Sequence, residues 1–140
     1  MTGFVLDASI VMAWHFADEK SPALDRLSLR AGDEGVAVPS HWAMEVANSL
    51  LVGERRGRTS IASVAHFIDR LRALPLEIDE VDDEIVFTRI LPAARAHRLT
   101  VYDALYLDLA ERRGLPLATL DADLAAAGKS VGLIILGTEE

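Results

Sequence analysis

Phe4-Val5-Leu6-Asp7-Ala8-Ser9 is the stretch on which the reading of this sequence turns. Three apolar residues so near the first position cannot belong to a long helix, and an acid and a small hydroxyl residue follow them at once. The pattern predicts a short buried strand that carries a carboxylate to its own carboxyl end. In open α/β sheets the ligand crevice lies just outside the carboxyl ends of the strands, so Asp7 is expected to face a ligand from a rigid support.

Outward from there, helical patterns alternate with short apolar strands. Ile10 to Phe16 is too continuously apolar for another strand and predicts a short helix closed by Asp18 and Glu19. Ser21-Pro22 reads as an N-cap with proline at the first helical position, and Leu24 and Leu27 support a helix to about Arg30, followed by a loop from Gly32 to Gly35. Val36-Ala37-Val38 is a second strand ended by Pro39. Ser40 can then cap a helix from His41 to Arg56 whose buried stripe is Trp42, Val46 and Leu50. Thr59 or Ser60 restarts the chain into a helix from Ile61 to Leu71, and Leu76 to Ile78 is a brief strand or extended connection. Ile85, Val86 and Ile90 are helically spaced up to Pro92, where a kink or a fresh helix to Arg98 is expected. Leu99 to Ala110 is the clearest helix, capped by Thr100 and stopped by Gly114. A strand from Leu115 to Leu120, a short helix from Asp123 to Ala127 and a strand from Val131 to Leu136 follow. This alternation predicts one α/β domain over residues 1–140, with a mainly parallel central sheet flanked by helices.

Composition narrows the chemistry. A length of 140 residues at 51% hydrophobic content suits one domain with a sizeable core. The excess of 22 acidic over 14 basic residues, a formal charge of −8, excludes adhesion to nucleic acid through a global basic field. Acids that converge on divalent cations would still present a positive site to phosphate. Cysteine is missing from the sequence, which removes disulfides, thiolate catalysis and sulfur-bound zinc. The sequence contains no run of eighteen apolar residues and no basic-then-apolar leader, so no membrane span or signal peptide is indicated and a cytoplasmic location is expected.

The acids repay attention together. Asp7 and Asp121 end predicted strands and Glu45 lies early in the helix after one, so right-handed crossovers bring these three to one edge of the sheet. Asp103 lies in the first turn of its helix, and topology alone does not place it. The spacing from Thr100 to Asp103 also matches a capping box, which is a competing, structural role. Glu45 is harder to explain structurally, because a carboxylate beside Trp42 and Val46 costs stability unless it faces water or a cation. Carboxylates gathered in a dry crevice raise one another's pKa, and a divalent cation resolves the conflict. Oxygen ligands without sulfur or paired histidines favour Mg²⁺ or Mn²⁺, which can activate a water in line with a phosphodiester. Ser9 and Thr119, each two residues from a strand-end Asp, are placed to hold ligands or waters from behind.

These motifs, in this order, resemble the PIN-domain ribonucleases, and specifically the VapC-like toxins of type II toxin–antitoxin pairs. The resemblance is carried by Phe4 to Ser9, by the Glu45 helix after Val38-Pro39, by Leu99-Thr100-Val101-Tyr102-Asp103-Ala104-Leu105-Tyr106 and by Leu117-Ala118-Thr119-Leu120-Asp121, and it spans nearly the whole chain. It implies a PIN-like fold and an acidic quartet of Asp7, Glu45, Asp103 and Asp121 that binds Mg²⁺, with Mn²⁺ as a substitute. The family's neighbouring hydroxyl positions fall on Ser9 and Thr119. The resemblance, rather than topology, is what secures Asp103. It further implies metal-dependent RNA cleavage, homodimerisation and inhibition by a small cognate antitoxin. The family commonly has further polar or acidic residues near the last motif, so Asp123 is a candidate to share or replace the role of Asp121, which ranks first.

Other readings compete with this one. A catalytically silent PIN-fold binding module would not need all four acids. A phosphoaspartyl phosphatase with Asp7 as nucleophile would want a second Asp where Ser9 stands and a lysine after a strand, and Lys20 and Lys129 are the only lysines. His15, His41, His66 and His97 form no ligand pair at helical spacing and read as ordinary surface or core residues. Arg55, Arg56 and Arg58 are candidates for gripping RNA phosphates or an acidic partner segment, or they form a solvated helix end.

Overall fold

The structure, a computed structural model, describes residues 2–137, so Met1 and residues 138–140 of the expected 1–140 domain lie outside the described residues. The apolar run at the start forms β1 (Phe4–Leu6), the middle strand of a five-stranded sheet. Phe4, Val5 and Leu6 are each 0% exposed, and burial contributes about 1.5–3 kcal/mol for each such side chain, which helps offset the cost of desolvating the acid that follows. The other strands are β2 (Val36–Pro39), β3 (Leu76–Asp79), β4 (Leu117–Ala118) and β5 (Ile135–Leu136). Their order is β3-β2-β1-β4-β5 and every pairing is parallel, with Phe4 beside Val36 and Val5 beside Leu117. The chain steps from β1 out to β2 and β3, then returns to the other flank of β1 for β4. The strand order therefore reverses between β1 and β4, and that switch point is where an open parallel sheet forms its crevice.

The helices are α1 (Ala8–His15), α2 (Pro22–Glu34), α3 (Trp42–Arg55), α4 (Ile61–Leu71), the short α5 (Asp83–Ile85), α6 (Leu91–His97), α7 (Val101–Arg113) and α8 (Ala122–Ser130). Among the described residues, no helix is long and apolar enough to cross a membrane.

Several boundaries differ from expectation for identifiable reasons. The loop expected from Gly32 is helix: α2 continues because Leu24, Leu27 and Ala31 keep its buried stripe going, and it stops at Gly35, whose φ of 79° is left-handed. Ser40 does not cap α3; His41 occupies the N-cap, and no side chain there takes a backbone N–H. At Pro92 the expected fresh helix is present but starts one residue early, as α6 from Leu91 with Pro92 in its first turn. The π turn Val86–Ile90 precedes it, with the Leu91 N–H reaching back to the Val86 carbonyl, and the wider turn absorbs the missing proline donor. β4 and β5 are two residues each rather than six, since the chain leaves β4 at Thr119 to start α8.

Tyr106 to Ala110 of α7 are all buried. On one side α7 meets β2 and β1; on the other, Ala104 packs with Ile90 and Ala94 in a separate small cluster. A helix covered on both faces shows little apolar periodicity, which is why its sequence reads as helix through propensity and caps. Asp108 is buried in this helix and satisfied by cations: Arg89 donates to it at 2.8 and 3.1 Å and Arg112 at 2.8 Å, and Arg112 also reaches Asp79.

Candidate active site

Asp7 lies at the switch point. Its backbone N–H bonds to Ala118 O at 3.0 Å, which sets its carboxylate between the ends of β1 and β4, and the residue is only 5% exposed. Ser9 Oγ donates to Asp7 Oδ2 at 2.5 Å and Thr119 Oγ1 donates to the same oxygen at 2.8 Å. In turn Ser9 Oγ accepts the Leu120 N–H at 2.9 Å and Thr119 Oγ1 accepts the Asp121 N–H at 3.0 Å. Each hydroxyl thus gives its proton to Asp7 and a lone pair to the loop between β4 and α8. Burial pushes the Asp7 carboxyl above the usual range; the Ser9 and Thr119 hydrogen bonds oppose this, and the Glu45 charge adds to it.

Thr119→Val tests that bridge. The substitution keeps the shape but leaves the Asp121 N–H and Asp7 Oδ2 each short of a partner, at a cost of about 1–3 kcal/mol. Thermal unfolding should show a Tm lower by about 3–10 °C. An unchanged Tm would mean that the hydroxyl holds neither group.

Glu45 stands in the first turn of α3 and is half-buried. The Tyr106 hydroxyl donates to its Oε1 at 2.5 Å, and His41 Nε2 lies 3.2 Å from the same oxygen. The His41 ring is itself buried, with centroids 5.4 Å from Tyr102 and 5.3 Å from Tyr106. Burial raises the Glu45 carboxyl, but the His41 and Tyr106 contacts outweigh it and hold the group below the usual carboxylate range. Burial pushes the Tyr106 phenol upward, reinforced by Glu45, so its proton stays in place as a donor. Sequence reasoning passed over both His41 and Tyr106. The available signal was the i, i+4 spacing of His41 and Glu45, which puts them on one helical face.

Asp103 enters through a capping box that is only half formed. Thr100 Oγ1 accepts the Asp103 N–H at 3.1 Å, but among the described residues the Asp103 carboxylate makes no return bond. That carboxylate is half-buried and pushed up to about 6, first by burial and then by the charges of Asp121, Asp7 and Glu45. The other three acids of the expected quartet therefore all bear on Asp103. Asp121 is exposed and caps α8, its Oδ1 accepting the Leu124 N–H at 2.9 Å. Asp123, also exposed in the first turn of α8, is not among the charges acting on Asp103.

The raised Asp103 group has a consequence for stability. Between pH 3.8 and about 6 the folded protein keeps a proton on Asp103 that the unfolded chain releases. Folding stability contributed by this group therefore falls as pH rises through that window. The metal-free protein should lose Tm relative to Asp103→Asn as pH rises through it; parallel profiles would show that Asp103 does not carry the effect.

Asp108 offers a contrast with the acids of the crevice. Asp108 is neutralised by two arginines, whereas among the described residues no Lys or Arg pairs with Asp7, Glu45, Asp103 or Asp121. His41, 3.2 Å from Glu45, is the basic side chain that pairs with one of them among the described residues. Among the described residues no three His, Asp or Glu side chains close into a ready-made ion cage. An open set of carboxylates of this kind fits a hard cation such as Mg²⁺, which keeps several waters and takes only one or two carboxylates.

The arginines lie elsewhere. Arg55 and Arg56 are exposed at the far end of α3, about 15 Å along the helix from Glu45. Arg58 is engaged within the fold, donating to Asp18 and Glu19 at 3.1 Å each and resting 4.1 Å over the Phe16 ring.

A five-stranded parallel sheet with acids bearing on one another near its switch point defines a class, and the sequence matches the family model of the PIN domain over residues 4–130. The chain belongs to the PIN-domain family. Among named relatives, Ribonuclease VapC3 of Pyrobaculum aerophilum is 31% identical over 121 residues, covering 86% of this chain and 91% of that protein. Ribonuclease VapC3 of Mycobacterium tuberculosis is 31% identical over 135 residues, covering 93% and 90%. The crystal structure of PAE2754 from Pyrobaculum aerophilum aligns with a TM-score of 0.68 at 28% identity, covering 96% of this chain and 90% of that one. The expected PIN-like α/β fold is thus the observed one.

Proposed function

We propose that this protein is a Mg²⁺-dependent endoribonuclease that acts as the toxin of a toxin–antitoxin pair in the cytoplasm. The observation that carries the reading is that Asp103 is raised by burial and then by the charges of Asp121, Asp7 and Glu45, opposed by His41, with no Lys or Arg among the described residues paired to any of these acids. Ribonuclease-named relatives at 31% identity over most of the chain support the substrate class.

In this reading Asp7, Glu45, Asp103 and Asp121 hold the divalent cation, Mg²⁺ or Mn²⁺. When bound, the cation supplies charge stabilisation at a phosphodiester and lowers the pKa of water at the site. Asp7 is the fixed member, since Ser9 and Thr119 leave its carboxylate no freedom to rotate. Asp121 is the exposed member and marks the side from which a strand of RNA reaches the crevice. Asp123 stands beside it as an alternative acid. Arg55 and Arg56, free of salt bridges among the described residues, are placed to meet backbone phosphates farther along a bound strand. An apolar groove of about 340 Å³ between α3 and α4, lined by Trp42, Val46, Leu50, Ile68 and Leu76, is surface of the kind an amphipathic antitoxin segment covers. Homodimerisation belongs to the same reading.

The test is cleavage of a mixed RNA panel by purified, antitoxin-free protein in Mg²⁺, in Mn²⁺ and in EDTA. Endonucleolytic products that require the metal are the expected result. Intact RNA under saturating metal, or equal cleavage in EDTA, would overturn the proposal.

A further inference from the structure

Glu45 and Asp7 are held in the same way. Both side-chain donors to Asp7 meet Oδ2, and the Ser9 backbone N–H also bears on the carboxylate. At Glu45, the Tyr106 hydroxyl and His41 Nε2 both meet Oε1, at 2.5 and 3.2 Å, and Oε2 has no hydrogen-bond partner among the described residues. A carboxylate met by two side chains at one oxygen presents the other oxygen as its remaining acceptor.

We propose that His41 is a positioning residue for this site, which together with Tyr106 anchors Glu45 through Oε1 and so leaves Oε2 as the oxygen that meets the cation. The inference rests on the metal-dependent reading of the site.

The argument begins with what His41 forgoes. Its side chain is only 10% exposed, and neither Nδ1 nor Nε2 makes an aligned hydrogen bond. Burying polar nitrogens without aligned partners is unfavourable, and a hydrocarbon of similar size would fill the space between Tyr102 and Tyr106 without that cost. What the imidazole supplies and a hydrocarbon lacks is a nitrogen beside Oε1. The geometry makes that nitrogen a fixed point: two aromatic rings confine the imidazole, and the Glu45 N–H bonds to the His41 carbonyl at 3.1 Å, one helical turn apart. Glu has three side-chain torsions to immobilise, and the Tyr106 hydrogen bond fixes only one point of its carboxylate; the confined imidazole, 3.2 Å from the same oxygen, keeps it from swinging away. Groups that orient a ligating carboxylate from behind are worth about 10–100-fold in metal affinity.

The experiment measures Mn²⁺ binding without RNA, by the electron paramagnetic resonance signal of free Mn²⁺, for wild type, His41→Leu and His41→Gln, alongside Tm and steady-state cleavage. His41→Leu should bind Mn²⁺ about tenfold or more weakly. His41→Gln, whose amide nitrogen reaches about where Nε2 stands, should recover most of the loss. Cleavage should fall in kcat with KM for RNA unchanged, because an orientation effect acts on the reacting complex. Tm should hold in both variants, and His41→Phe replaces His41→Leu if the latter does not fold. Folded His41→Leu that binds Mn²⁺ as tightly as wild type would overturn the proposal, as would a Gln variant as weak as Leu, which would mark a packing role alone. Wild-type protein that binds no Mn²⁺ would overturn the metal-dependent reading and this proposal with it, a result distinct from either of those.

Discussion

Asp7→Asn should reduce single-turnover RNA cleavage by about a thousandfold, the scale on which fixed electrostatic groups act in enzyme sites, while leaving Tm equal to or above that of wild type. Asparagine has the same volume and keeps an acceptor oxygen for Ser9 and Thr119, so the bridge to the β4–α8 loop survives. What it removes is a charge at a position 5% exposed, whose ionisation burial and Glu45 both oppose. A carboxyl raised in this way subtracts stability at neutral pH, so its neutral isostere should restore some. Activity and stability moving in opposite directions distinguishes a functional carboxylate from a structural one. A fall in both would make Asp7 a folding residue, and retained cleavage would remove it from the site.

The second large effect is the response to divalent cations. An Asp103 on which three further acids bear, with no arginine among them, should make the folded state bind a cation far better than the unfolded chain. At a hundredfold excess over Kd this adds about 2.7 kcal/mol to stability, which corresponds to a Tm rise of about 8 °C for a chain of this size. EDTA should reverse the rise and abolish cleavage together. The gain should shrink in Asp103→Asn and nearly vanish in Asp7→Asn. A Tm indifferent to Mg²⁺ and Mn²⁺, or an equal gain in Asp7→Asn, would place any bound cation elsewhere.

Much of this arrangement is readable in the residues, and the unread parts have physical causes. Phe4 to Asp7 reads directly because a fully buried central strand has nothing but apolar side chains before the acid at its end. The Ser21 and Thr100 caps also read directly, each hydroxyl taking the expected backbone N–H, and of the two candidates Thr59 and Ser60 it is Ser60 that caps its helix. The end of α2 does not, because Gly32 is tolerated inside a helix whose buried stripe continues past it, and only the backbone angle of Gly35 stops the chain. The apolar runs from Leu115 and Val131 predict longer strands than those found, because such runs mark burial, whereas β4 and β5 end where pairing ends.

Asp103 illustrates a further limit. A helix that leads into the start of β4 must begin near the opposite edge of the sheet, so its first turn is brought to the carboxyl ends of the strands by the crossover itself. The alternation of elements contains that information only once the sheet order is known. His41 and Tyr106 were hidden for another reason. They lie 65 residues apart, and each looks like core until the packing of α7 against the start of α3 turns both toward one oxygen of Glu45.

The most direct test of a single acid centre is non-additivity. Single-turnover cleavage of one RNA at saturating Mg²⁺ would be compared for wild type, Asp7→Asn, Asp103→Asn and the double variant. If the acids work as one site, each single change takes the rate close to background and the double variant is no slower than either. Losses that multiply in the double variant, or a single variant that cleaves at the wild-type rate, would contradict the site described above.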